Sequence, residues 1–359
     1  MKLKQNLMHK IDKEETDKRS VNAVETETKR NIFSNIYVEE AALDYPITQM
    51  VLQKFAHSTI IPIRHYKDVF NRTNQHFGLQ KQHPALILAV KNDSLLYKGP
   101  DVCQNFGFSN FYYTSFLLNC IFDCEYCYLQ GMYPSANIVA FVNTEDFKKA
   151  FTEIVTTEKE PVYLAASYDT DLIAFHSIIP YMDYFYDFFS MHPDIIVEIR
   201  TKSAGQVFYN EHAPLENIII AFTLTPEEII KKYEKHTPSL KARINAIKTA
   251  IDNGFKVRLC FDPIFIDDEF NSLYEEFYNY IFSEINPNKI LDVGYGFFRM
   301  SADFFKRIKK QRINSKLFQD NYCLIDGVLS YPVDQQEIIK EKHFAVLLKY
   351  IQKERLFAL

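Results

Sequence analysis

The 359-residue chain has no tryptophan, and its formal net charge is only −5, from 41 Lys/Arg against 46 Asp/Glu. It also lacks any run of about 18 uncharged apolar residues, so no transmembrane helix is expected. The first residues are rich in Lys and Glu and carry no apolar h-region, so a secretory signal is not expected and a cytoplasmic location is. The weak negative charge argues against holding nucleic acid by charge alone. A local basic groove stays open, because net charge says nothing about distribution. No internal repeat or low-complexity tract stands out. Without tryptophan, the aromatic content is carried by 23 Tyr and 31 Phe. Most of these rings should be core, while exposed ones would offer a surface for stacking bases or an aromatic substrate. At 47% hydrophobic and 24% charged, the composition is that of an ordinary soluble globular protein.

Residues 1–30 hold eight Lys/Arg and six Asp/Glu with few large apolar residues, and residues 1–33 are expected to be a flexible arm. Residues 34–83 read as a small N-terminal α/β unit: a strand-like run at 36–38, a helix starting at Tyr45-Pro46 and running to Phe55, and a strand at 59–63. The main domain is expected over 84–335, opening with the apolar run 84–90, and a C-terminal helix over 336–359. Within the main domain, apolar runs at 162–166, 195–200, 218–224, 256–262 and 291–298 alternate with segments at 144–155, 171–191, 239–253 and 269–285 that show helical spacing. Ser239 as N-cap and Gly254 just past the end bracket the third helix, and Pro180 should break or kink the second. Near-continuous apolar strands alternating with helices predict a parallel sheet covered by helices. The fold class is therefore α/β, a partial (β/α)6 TIM-like barrel with the small N-terminal α/β unit packed on it.

Three of the six cysteines fall within eight positions, as Cys120, Cys124 and Cys127 in a C-x3-C-x2-C spacing. They follow a strand-like run at 112–118 and precede the helix at 144, which places them at the C-terminal end of an early strand, where barrel sites gather. Bunched thiolates suit a soft metal centre, and iron–sulfur clusters are held by cysteine thiolates. Three ligands would leave one iron of a four-iron cluster open to a ligand from outside. Zinc is the alternative, but a structural zinc site usually takes two separated ligand pairs, whereas Cys103, Cys260 and Cys323 stand alone. Tyr126 and Tyr128, flanking Cys127, would cover a cluster or fill core.

The run Cys124-Glu125-Tyr126-Cys127-Tyr128-Leu129-Gln130, followed by Phe141-Val142-Asn143, resembles the spore photoproduct lyase family within the radical S-adenosylmethionine (SAM) superfamily. Weaker matches fall in the family's order: the stretch 37–46, Ala165-Ala166, Thr201-Lys202, Tyr233-Glu234 with Thr237, Arg243, and Pro263-Ile264, covering 36–310 with gaps. The resemblance implies that Cys120, Cys124 and Cys127 hold a [4Fe–4S] cluster whose fourth iron is chelated by SAM. Reductive cleavage of SAM would then give a 5′-deoxyadenosyl radical that takes hydrogen from a thymine-dimer lesion in DNA, in a lyase reaction that repairs it. A reductant protein such as a flavodoxin or ferredoxin would be a partner.

Lys202 and Thr223 look like SAM-holding positions, although a surface lysine and a β-branched strand residue would also occur there. Asp169, Thr170 and Asp171 cover the family's Ser-Asp segment. The chain departs from the family where a cysteine after the Ala-Ala pair returns hydrogen to the product: here stand Ser167 and Tyr168. A serine hydroxyl is a poor hydrogen-atom donor and a phenol a better one, which makes Tyr168, Tyr126 and Tyr128 candidates, with Cys323 as a thiol from another direction. The family's Arg-, Tyr- and Gly-rich hairpin corresponds to 315–331, where Lys316, Tyr322 and Tyr331 stand without a basic cluster. Two other readings stay open: a radical SAM enzyme acting on a non-lesion substrate, and a non-catalytic, metal-stabilised binding protein.

Overall fold

The computed structural model describes residues 32–266, 272–319 and 321–358. The expected arm over 1–33 lies outside the described residues except for its last two positions, and these join the fold. Phe33 is buried and packs edge-on against Phe55, with ring centroids 5.6 Å apart.

The N-terminal unit does not close at residue 83. Its strands Asn35–Glu39 and Thr59–Ile63 belong to a sheet that continues through Leu86–Ala89 and Ile138–Phe141, all parallel, and ends on the antiparallel pair Leu117–Leu118. Leu86–Ala89 and Ile138–Phe141 are buried at every position, as strands covered on both faces must be, and that burial ties the unit to the main domain.

The main domain is built on a second sheet. In chain order its six parallel strands are β1 (Asn110–Tyr113), β2 (Val162–Ala165), β3 (Ile195–Thr201), β4 (Ile218–Thr223), β5 (Lys256–Ile264) and β6 (Asp292–Phe297). Short edge strands flank them, Tyr97–Lys98 beside β1 and Leu356–Ala358 beside β6, and these two do not pair with each other. The sheet is therefore curled but open, a partial TIM-like barrel. Its helices are α1 (Thr144–Thr157), α2 (Tyr181–Met191), α3 (Leu240–Asp252), α4 (Leu273–Glu284), α5 (Ala302–Gln311) and α6 (Val333–Leu347). Between α1 and α2 the phenylalanines form continuous core: Phe116 lies 5.0 Å from Phe147 and 4.6 Å from Phe185.

The expected helix over 171–191 is broken as Pro180 requires. Asp171 caps one turn, Leu172–Phe175, by accepting from the Ala174 N–H, and α2 starts after Pro180. Ser239 caps α3 through the Ala242 N–H, and Gly254, at φ +85°, takes the left-handed turn that ends it. The expected C-terminal helix over 336–359 is wrong at both ends. α6 runs from Val333 to Leu347, and Leu356–Ala358 becomes a strand parallel to β6. The outer edge of β6 would otherwise leave buried backbone groups unpaired, and Phe357 also packs 5.4 Å from Phe106. Among the described residues no helix is long and apolar enough to cross a membrane.

Candidate active site

The C-terminal ends of β2, β3, β4 and β5 and the loop carrying the three cysteines line one cavity of about 440 Å³. Barrel sites gather at this end because the loops there are free to vary while the strands hold them in place.

The loop is framed by residues from much of the chain. Asn119 opens it with φ 72°, a backbone turn that Asn tolerates, and its side-chain N–H groups go to the carbonyls of Ser135 and Asn137, both at 2.7 Å. Lys81 donates to the Cys120 carbonyl and, at 2.6 Å, to that of Phe122. Asp123–Cys124 pair antiparallel with Glu234–Lys235. Gln130 donates to the Cys124 carbonyl and accepts from Arg312 Nε at 2.9 Å, while Arg312 also pairs with Asp123. Beneath the loop, Glu234 is wholly buried against Arg243 and accepts the Tyr126 hydroxyl.

All three thiols line the cavity. Burial pushes the Cys120 thiol up to about 12 and raises Cys124 and Cys127 as well. Among the described residues, no three His, Cys, Asp or Glu side chains converge closely enough to hold a single metal ion. Three thiols lining one cavity suit a cluster that takes one thiolate on each of several irons.

Of the residues expected at the site, most share this cavity. Lys202, Thr170, Thr223, Ser167, Tyr168, Tyr126 and Tyr128 line it with the cysteines; Asp169 does not. The Asp169 carboxylate, 2% exposed, is held behind the wall, accepting the Ser115 hydroxyl at 2.5 Å and the Tyr128 hydroxyl at 3.4 Å. Asp171 lines the cavity instead, taking the Lys202 N–H at 2.7 Å and the Thr201 hydroxyl at 2.8 Å. Burial pulls the Lys202 ammonium down, but the Cys124 sulfur and Glu234 carboxylate beside it outweigh burial, and its pKa stands above the ordinary lysine value.

The phenols are mostly committed. Tyr126 gives its hydroxyl to Glu234, and Tyr128 gives its own to the Tyr168 carbonyl at 2.7 Å. Tyr168 stacks on Tyr113 at 4.1 Å, and its hydroxyl lies 3.5 Å from the Cys103 sulfur. Cys323 is exposed on the strand Cys323–Ile325 and lies away from the cavity lining.

Two buried hydroxyls on the cavity wall, Ser167 Oγ and Thr170 Oγ1, have no partner among the described residues. An unsatisfied buried hydroxyl costs about 1–3 kcal/mol, so the wall is shaped for a polar ligand beside the thiols. Other cavity residues carry no local sequence signal. Arg200 on β3, the bidentate pair of Arg299 with Asp262 at 3.1 and 3.2 Å, and Cys103 are brought together only by the curl of the sheet.

An open, curled parallel sheet with three bunched thiols at its C-terminal mouth defines the class: a radical SAM partial barrel. The family model described as spore photoproduct lyase matches residues 32–322, and the chain belongs to that family. A curated spore photoproduct lyase of Clostridium acetobutylicum is 25% identical over 266 residues, 68% of this chain and 73% of that protein. A solved spore photoproduct lyase complexed with dinucleoside spore photoproduct shares the fold at a TM-score of 0.78 and 15% identity, covering 92% of this chain and 98% of that one. A spore photoproduct lyase variant with bound AdoMet and dinucleoside spore photoproduct gives 0.77 and 16%, over 91% and 98%.

Proposed function

We propose that this chain is a radical SAM lyase that reverts a thymine-dimer lesion in DNA, the reaction class named by its family. The observation that carries the reading is the single cavity in which three thiols, a lysine and two unpartnered hydroxyls meet. Cys120, Cys124 and Cys127 would hold a [4Fe–4S] cluster, with SAM on the open iron. Bound and reduced by a flavodoxin- or ferredoxin-like donor, that pair supplies a 5′-deoxyadenosyl radical, and the protein's task is to bind, orient and exclude water.

Lys202 keeps its proton and suits the SAM carboxylate. Asp171 accepts the Lys202 backbone N–H and the Thr201 hydroxyl, which fixes where the lysine leaves the end of β3. Thr170 and Ser167 offer hydroxyls to SAM or substrate, and Thr223 stands at the end of β4 opposite them. Tyr126 and Tyr128 act as walls whose hydroxyls are tied down, which keeps the cavity's shape.

A DNA substrate is supported by charge that the overall balance conceals. Lys306, Arg307, Lys309 and Lys310 are exposed on α5, whose first turn reaches the cavity through Phe304. Beside it, strands Cys323–Ile325 and Val328–Ser330 form a hairpin through Asp326 and Gly327, both at positive φ as a tight I′-type turn requires. Such work belongs in the cytoplasm. Family membership favours this reading over a non-catalytic binding protein. The test is anaerobic reconstitution with iron and sulfide, then dithionite, SAM and dinucleoside spore photoproduct. Formation of 5′-deoxyadenosine and thymine is expected, with both lost in Cys124→Ala; absence of 5′-deoxyadenosine refutes it.

A further inference from the structure

Side chains on a strand alternate between faces, and on β3 Glu198, Arg200 and Lys202 all line the cavity, in order from its floor to its mouth. At the floor Glu198 is already satisfied. It accepts the Tyr163 hydroxyl at 2.5 Å and Arg258 Nη1 at 2.7 Å, and Arg258 is itself fixed by Asp292 at 2.8 Å. Arg200 adds a second guanidinium above this pair. Its Nε lies 3.0 Å from Glu198, its side chain is 34% exposed, and its Nη1 has no partner among the described residues. The inward residues beside it are small: Ala221 pairs with it on β4, and Ala165 lines the cavity on β2. A group that only donates hydrogen bonds therefore faces space inside the barrel.

What it would meet follows from charge, shape and depth. The charged side chains lining the cavity balance, with Arg200, Lys202 and Arg299 against Asp171, Glu198 and Asp262. A buried anion would upset that balance, so the fitting acceptor is a neutral oxygen. Phe111, Tyr113 and Tyr163 line the wall and suit the face of a flat ring. Arg200 lies two residues before Lys202, about 6.6 Å further from the mouth. A nucleoside whose sugar stays at the mouth presents, at that depth, the ring atoms farthest from its glycosidic bond. In thymine these include the O4 carbonyl, an acceptor; cytosine carries an amino donor there.

We propose that Arg200 donates a hydrogen bond from Nη1 to O4 of a thymine base inserted in the barrel, and so makes the site select thymine over cytosine bases. This rests on the lesion-reverting reading and names the group that reads its base. Against an amino group the guanidinium would stand donor to donor, leaving both unpaired.

The test is equilibrium dialysis of radiolabelled dinucleoside spore photoproduct against reconstituted, unreduced protein with SAM, where no turnover occurs. Thymidine and 5-methyl-2′-deoxycytidine, which share methyl group and sugar and differ at the C4–N3 edge, are the competitors. In wild type, thymidine should displace the label at concentrations at least tenfold below those of 5-methyl-2′-deoxycytidine. Arg200→Met leaves Glu198 paired with Arg258 and Tyr163, so the chain should fold with wild-type iron content and SAM affinity. It should bind the lesion at least tenfold more weakly and lose the preference between competitors. Arg200→Lys keeps a donor and should retain part of both. Equal competition in wild type overturns the proposal, and so does a preference that survives in Arg200→Met. A loss of lesion binding that only tracks weakened SAM binding overturns it too. Wild type that forms 5′-deoxyadenosine with dithionite yet shows equal competition refutes this proposal alone. No 5′-deoxyadenosine from wild type overturns the functional reading and this proposal with it.

Discussion

Replacing Arg243 by Met tests how the cysteine loop is supported. Arg243 is fully buried; besides pairing with Glu234, it donates Nη1 to the Thr223 carbonyl at 3.2 Å and Nε to the Pro238 carbonyl at 3.1 Å. Methionine fills much of the volume but leaves the Glu234 carboxylate buried without its main counter-charge. Removing one partner of such a pair costs about 3–5 kcal/mol. The loss has a ceiling, because Glu234 can take up a proton instead. From an ordinary carboxyl pKa near 4.3, protonation at pH 7 costs about 3.7 kcal/mol and at pH 5 about 1 kcal/mol. Lys202 also holds the Glu234 carboxylate down and remains in the variant, so a deficit of about 3 kcal/mol at pH 7 is expected.

The sign follows from linkage. In the variant the folded state binds a proton that the unfolded state does not, so stability falls as pH rises above about 4.3. The deficit should grow by up to about 1.4 kcal/mol per pH unit between pH 5 and 7. Urea unfolding followed by far-UV circular dichroism at pH 5, 6 and 7 reads this directly, and Glu234→Gln combined with Arg243→Met should recover much of the loss. Because Glu234 sits in the strand paired with Cys124, the single variant should also retain less iron. A deficit below about 1 kcal/mol at pH 7, or one independent of pH, would refute the reasoning.

His343 is buried with its Nδ1 at 3.1 Å from the Tyr278 hydroxyl and 2.9 Å from that of Tyr295, and burial holds its pKa down to about 4. The unfolded chain takes its proton first, so stability should drop by about 3 kcal/mol as pH falls from about 6.5 to about 4, and His343→Phe should flatten that slope in urea melts. Gly131→Ala would bring a Cβ to 2.6 Å from the Phe304 Cα. The turn Leu129–Met132 and α5 would have to part, lowering stability by about 1–3 kcal/mol in thermal melts.

The barrel was legible because its strands are buried on both faces and therefore apolar without interruption. Ile218–Thr223 is buried at every position and was visible as a run. Caps and breakers were equally plain, as at Ser239 and Pro180. Domain edges were not: the strand Leu86–Ala89 pairs with Asn35–Glu39, and nothing local in either tells which sheet it joins. The cysteine spacing exposed the candidate site, but Cys103 lies on a separate loop and meets Tyr168 only because β1 and β2 pair side by side. Tyr233-Glu234, Thr237 and Arg243 looked like scattered short matches in the sequence. In space they form one buried unit beneath the loop, with Arg243 Nη2 2.7 Å from the Thr237 hydroxyl.

The framing of the cysteine loop also has a consequence in time. Asp123–Cys124 pair with residues made about a hundred positions later, and Arg312 reaches Asp123 across 189. During synthesis the three thiols leave the ribosome long before the segments that fix them, and contacts between such distant residues form late because long loops must close first. Iron held by these thiols would then not be the nucleus around which this chain folds. It would enter a nearly finished molecule, fasten parts already in place, and add stability that grows with the logarithm of its supply.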